Sequence, residues 1–112
     1  MIFPVKNKKE VMKMLFMLTM TWPTKSSGEV GKVAVENLAK ASPPHVKSLG
    51  LYLTPGGDGM KAYVLYEIEK GHIDEGFKEV TKRHVPYFSI EGWRYTIEPL
   101  LSVEEALPLV GL

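Results

Sequence analysis

Two side chains in this 112-residue chain have types and positions suited to moving protons, Glu67 and His84. Glu67 shares strand parity with Tyr63 and Leu65, which places its carboxylate among apolar groups. Burial there would raise its pKa and suit it to general acid or base work. The same carboxylate also serves as a solvated strand end paired with Lys61 or Arg94. His84 falls on the apolar stripe of a helical segment, where an imidazole acts either as a base or as a hydrogen-bonded structural residue. Tyr63 and Arg94 are the groups available to stabilise a developing oxyanion. Trp22 and Trp93, with Tyr63, Glu67 and His84, would line a pocket for a flat ligand; the same aromatics also fill a core.

Other chemistries find less support. The chain has no cysteine, which excludes disulfides, thiolate nucleophiles and zinc–sulfur sites. His45 and His72 each fall in a loop, ahead of a strand and a helix respectively. No His-x-His, His-Glu-x-x-His or close carboxylate pair offers metal-ligand spacing, so no metal is expected. Any of the three histidines could ligate a haem, but nothing singles one out, and no cofactor is predicted. Ser26, Ser27, Ser42 and Ser102 read as caps or loop residues, and no Gly-x-Ser-x-Gly is present. Gly56-Gly57-Asp58-Gly59 lacks the Gly-Lys-Ser/Thr ending of a phosphate loop and the repeated acidic ligands of a calcium loop, and reads as a hairpin turn. Fourteen basic against thirteen acidic residues give a net charge of +1, so the bulk attraction that drives non-specific nucleic-acid binding is missing.

Length sets a single domain, and no run approaches the roughly 20 apolar residues of a membrane span. Lys6, Lys8, Lys9 and Lys13 ahead of Met14–Met20 imitate a signal peptide. The apolar run is short, however, and continues through Thr19, Thr21 and Trp22 as a strand would, without a small-x-small cleavage site. A cytoplasmic protein is expected, with residues 1–12 as a basic arm and 13–112 as the domain.

The elements that must position these residues follow from periodicity. Residues 13–21, KMLFMLTMT, read as a strand closed by Trp22-Pro23. Ser26 and Glu29 form a capping-box pattern, and Val30, Val33, Ala34, Leu38 and Ala41 keep helical spacing until Ser42-Pro43-Pro44, predicting a helix over 27–41. Val46–Leu53 and Lys61–Ile68 read as a hairpin, with Leu49, Leu51 and Leu53 on one face of the first strand and Val46 and Tyr52 on the other. A second helix runs from about Gly71 to Pro86 with Phe77, Val80, His84 and Tyr87 inward. Gly92–Leu100 is a fourth strand, and Ser102 with Glu105 caps a short helix over 103–107.

The order strand, helix, strand, strand, helix, strand is the ferredoxin-like βαββαβ arrangement of the α+β class. It predicts a four-stranded antiparallel sheet with two helices on one face and a short C-terminal helix. The other face is too apolar for water: MLFML in the first strand is apolar at every position, and Tyr63 and Leu65 add to it. Large exposed apolar patches are uncommon on monomers, so a homodimer with face-to-face sheets is expected.

The element order, the Pro43-Pro44-His45-Val46 entry to the second strand, the glycine-rich hairpin, Tyr63-Val64-Leu65-Tyr66-Glu67 and the ending Tyr95-Thr96-Ile97-Glu98-Pro99-Leu100 resemble small members of the dimeric α/β-barrel superfamily. The resemblance covers about residues 13–110. That superfamily holds muconolactone isomerases, quinol-forming monooxygenases, polyketide cyclases, haem-degrading enzymes and ligand-sensing domains of transcription regulators, so it implies a fold and not an activity. It implies a homodimer with one cavity per subunit, between sheet and helices, for a small apolar or aromatic molecule. His84-Val85 is similar to a His-Val pair that some of its cyclases carry at the end of the corresponding helix, although Pro86 departs from that pattern. An enzyme of this kind would carry out cofactor-independent isomerisation or cyclisation with Glu67 or His84 moving the proton. A non-catalytic ligand-sensing or interaction module is the alternative. RNA-recognition modules share the element order, and Ala62-Tyr63-Val64-Leu65-Tyr66 fits part of their third-strand pattern. Gly59, Met60 and Lys61 do not supply its opening, and RNA binding ranks third.

Overall fold

The computed structural model describes residues 12–112, so the basic arm, except for Met12, lies outside the described residues. Strand β1 spans Lys13–Pro23, helix α1 Ser27–Leu38, β2 Val46–Gly56, β3 Gly59–Glu69, helix α2 Ile73–His84, β4 Arg94–Leu100 and the short α3 Val103–Ala106. The sheet order is β2-β3-β1-β4, with every neighbouring pair antiparallel. This is the ferredoxin-like α+β fold expected from the sequence.

Strand alternation builds the core. In β1 every second residue from Phe16 to Trp22 is buried, and in β3 every second residue from Ala62 to Ile68. These rows face α1 and α2, which contribute Val30 and Val80. Leu18 is fully buried at the centre, opposite Val64 of β3 and Ile97 of β4. The intervening residues Leu15, Met17, Tyr63 and Leu65 form the opposite face. That face has no second layer among the described residues, which form a slab 46 × 32 × 19 Å.

Strand β2 departs from simple alternation. Its register against β3 shifts between Ser48 and Leu51, a bulge that absorbs Leu49 and Gly50. One extra residue changes the parity of everything after it. Val46, opposite the buried Ile68, therefore shares the helix-side face with Leu51 and Leu53, contrary to the alternation read from sequence. Tyr52 pairs with Tyr63 on the open face.

The helices also correct some details. The capping box expected at Ser26 and Glu29 does not form: Ser26, at φ −91° and ψ 1°, lacks the extended backbone of a capping residue, and its Oγ donates instead to the Glu91 carbonyl at 2.9 Å, tying the helix entry to the loop before β4. The box at Ser102 and Glu105 is complete. α1 ends three residues before the predicted 41. α2 ends at His84, after which a 3-10 turn over Val85–Tyr87 accommodates Pro86. Phe77 is 40% exposed rather than inward, meeting Phe16 edge-on, and Gly76 occupies the inner position.

At Gly76 α2 lies against the sheet without room for a side chain. A Cβ there would lie 2.5 Å from Ile68 Cγ2 and 3.1 Å from Val46 Cγ2. Both neighbours are stiff β-branched side chains in the core, so Gly76→Ala must push α2 outward. Overpacking of this kind costs about 1–3 kcal/mol, against roughly 1 kcal/mol gained in helix propensity. A lower urea midpoint is expected, and an equal or higher one would show that the helix lifts freely.

Candidate functional site

The expected site residues divide between the two faces of the sheet. Tyr63, Glu67 and Arg94 have open-face parity, while Trp22, Trp93 and His84 belong to the helix side. Even on the open face they are spread out. Four strand steps separate Glu67 from Tyr63, about 13 Å, and Arg94 shares the row of Lys61, roughly 20 Å from that of Glu67. Glu67 is ion-paired with Lys13 at 3.2 Å, not with Lys61 or Arg94. Glu67 and His84 thus do not form one acid–base site, because a four-stranded sheet stands between them.

The tryptophans are mainly structural. Trp22 Nε1 donates to Ser27 Oγ at 3.1 Å and closes the turn between β1 and α1. Trp93 is stacked between Tyr87 and Tyr95, with centroids at 5.0 and 4.9 Å.

A pocket of about 160 Å³, partly open to solvent, lies between the sheet and the helices, where the family resemblance implies one. Its apolar wall includes Met20, Ala34, Leu51 and Val64, and its polar wall Asn37, Tyr66, Arg83, His84 and Tyr87. His84 comes from the last turn of α2 and is 3% exposed. Its Nδ1 lies 2.7 Å from the Val80 carbonyl. A carbonyl oxygen only accepts, so Nδ1 carries the proton, and Nε2 of the neutral ring keeps its lone pair. Burial pushes the His84 pKa down and so favours that neutral ring, against the smaller opposing effect of the Val80 hydrogen bond. Burial also pushes Tyr66 up to about 12 and raises Tyr87, so both phenols stay protonated as donors. The Tyr66 ring meets His84 edge-on, centroids 6.3 Å apart, and Tyr87 stacks on the imidazole at 5.7 Å. Asn37 Nδ2 donates to the Arg83 carbonyl at 3.1 Å and Arg83 Nη2 to the Ala41 carbonyl, which pins α1 and the loop after it to the end of α2. Tyr66, Tyr87 and Asn37 were missed as site residues. Tyr66 has the parity of a core residue, and only the tertiary packing leaves space beside it.

A larger cleft, about 630 Å³, opens where β2 and β3 meet the start of β1, and includes Lys13, His45, Lys47, Glu67, Glu69 and His72 in its wall. His45 adopts a left-handed backbone, φ 65°, between Pro44 and β2. Its Nδ1 is 2.5 Å from Glu69 Oε2, and this hydrogen bond is the main cause holding the Glu69 carboxyl below its ordinary range. The ring lies flat on that of His72, with centroids 3.5 Å apart and planes within 5°.

These geometries belong to a ferredoxin-like α+β domain with a small, partly open pocket between sheet and helices. No protein-family model matches the chain, and no curated protein matches it. Among solved structures, it is similar to the C-terminal domain of the MgtC protein from Mycobacterium tuberculosis. That likeness has 12% identity and a TM-score of 0.48, over 88% of this chain and 99% of the other. It is also similar to a putative antibiotic biosynthesis monooxygenase from Caulobacter crescentus CB15, with 19% identity and a TM-score of 0.48 over 82% of this chain and 92% of the other. The fold assignment stands on the element and strand order described above. No helix among the described residues is long and apolar enough to cross a membrane.

Proposed function

We infer that this protein is a cytoplasmic homodimer that binds a small, largely apolar ring compound between its sheet and helices, with His84 as a neutral proton acceptor. The observation that carries the reading is a buried imidazole on the wall of the pocket with the Tyr66 phenol edge-on beside it. A space of roughly 150 Å³ is the size of a benzene ring, so a partly open pocket of about 160 Å³ with polar groups on one wall suits one aromatic ring with a hydroxyl or carbonyl substituent. Such a ligand can donate to His84 Nε2 and accept from Tyr66. The reaction type that fits is cofactor-independent proton transfer, such as isomerisation or cyclisation. His84 takes the proton and Tyr66 steadies the oxyanion, a role Tyr63 and Arg94 cannot share across the sheet.

Dimerisation is supported by the uncovered sheet face, with Leu15, Met17, Tyr63 and Leu65 along its centre and Tyr52 66% exposed beside them. Leu109, Val110 and Leu112 after α3 are more than 70% exposed and add apolar surface in need of cover. The two parts are tested separately. Titration with 4-fluorophenol, followed by ¹⁹F NMR, is expected to give a saturable shift that Ala34→Phe removes by filling the cavity. A shift that survives Ala34→Phe in a folded variant would place the ligand elsewhere. Sedimentation is expected to show a dimer that Met17→Asp converts to monomer, and a monomeric wild type would refute the face-to-face assembly.

A further inference from the structure

We propose that His45, His72 and Glu75 form a binding site for a divalent transition metal, of which Zn²⁺ is the best fit. The site is distinct from the cavity at His84. Each of the three residues offers one ligand atom, and these atoms all lie within 4.8 Å of one another. Two imidazoles and a carboxylate are the donor set of open, three-ligand zinc sites, in which the fourth position is left to water or a substrate. His45 and His72 both line the cleft of about 630 Å³, so there is room for that fourth ligand.

The surrounding groups fit this assignment. His45 Nδ1 is engaged by Glu69 Oε2 at 2.5 Å, which leaves Nε2 as the coordinating atom and makes Glu69 the outer carboxylate that metal-bound histidines commonly have. His72 Nδ1 is buried and has no hydrogen-bond partner among the described residues, an uncompensated polar atom in this cluster. The carboxylate facing it, Glu75 Oε2, stands 3.7 Å away, too far for a hydrogen bond and close to the roughly 3.3 Å that separates donors around tetrahedral zinc. Coordination requires one adjustment. An imidazole lone pair lies in its ring plane, so two rings stacked at 3.5 Å cannot both point at one ion. Glu69 anchors His45, whereas His72 forfeits no hydrogen bond at Nδ1 by turning out of the stack. The Glu75 side chain is 72% exposed and free to follow.

Isothermal titration of the full chain with Zn²⁺ tests the site, paired with melting curves with and without the metal. One ion per chain is expected, with a raised melting temperature. His45→Ala and His72→Ala are each expected to weaken binding at least 100-fold, Glu75→Gln about tenfold, and Glu69→Gln about 10- to 100-fold through orientation of His45. His84→Leu should leave Zn²⁺ affinity unchanged. Both histidines are partly exposed, so each variant is expected to fold, which circular dichroism checks. Absence of saturable binding by the wild type would overturn the proposal. So would binding that the folded double variant His45→Ala/His72→Ala retains.

Discussion

His84→Leu is expected to flatten the acid side of the stability profile and to weaken 4-fluorophenol binding roughly tenfold. Leucine fills much of the imidazole volume without either nitrogen, so packing is largely preserved while the proton acceptor is lost. The sign follows from the direction of the shift. Burial lowers the folded-state pKa of His84 below the ordinary 6.5, so in the window below 6.5 the unfolded chain binds a proton that the folded chain resists. The stabilisation is complete above that value and is lost as pH falls through the lowered one. Urea midpoints should therefore drop from pH 7.5 to pH 5.5 in the wild type and drop less in the variant. Glu69 also has a lowered pKa, but its contribution is lost only below its ordinary 4.5, in a separate window. The tenfold loss of affinity corresponds to about 1.4 kcal/mol, within the range for leaving a ligand's hydroxyl unpaired in a buried site. His84→Gln separates the two effects. Its carbonyl can accept from the ligand and restore part of the affinity, yet it does not titrate and leaves the profile flat. Equal pH dependence in wild type and both variants would remove His84 as the titrating group.

Leu18→Ala is expected to be among the most damaging single changes in the core. Leu18 is 0% exposed at the middle of β1, the strand that pairs with both β3 and β4. Truncating a leucine in such a position costs about 2–5 kcal/mol, because backbone hydrogen bonds on both sides prevent the sheet from collapsing into the void. Domains of this size are stable by about 5–15 kcal/mol in total, so the variant should lose a large share of its stability and melt more than about 10 °C lower. Thermal unfolding followed by circular dichroism measures this. A loss below 1 kcal/mol would mean that the helices close over the gap.

How far the sequence reaches is clearest in the strands. In β3 the period of two set Tyr63, Leu65 and Glu67 apart from the row that is core, Ala62 to Ile68, because side chains on a strand point to opposite faces. Strand β1, apolar at every position of MLFML, shows no such alternation, and only the helix layer decides that Phe16 to Trp22 face inward. The breakers Pro23, Pro43-Pro44 and Gly56–Gly59 bounded the elements, and the order of elements specified a ferredoxin-like sheet. The same rule misread β2, since simple alternation passes over the bulge at Leu49 and Gly50, whose one mark in the sequence is the glycine inside the strand. Ser26 showed a cap pattern, but its hydroxyl is used by the Glu91 carbonyl 65 residues away.

The site divides along the same line. His84 was legible as a buried imidazole because it lies on the apolar stripe of α2, and a cavity between sheet and helices followed from the fold it resembles. Parity already separated Glu67 from Tyr66, yet only the helix layer shows which face holds the cavity and therefore that Glu67 cannot work with His84. His45 and His72 are 27 positions apart and match no ligand spacing, because local motifs describe donors on one helix or one turn. Their stacking at 3.5 Å is made by the register of β2 on β3 and the entry of α2 above it. Period and punctuation are properties of the local chain and could be read from it. Which loops meet at the end of a sheet depends on long-range packing, and only the tertiary structure decided it.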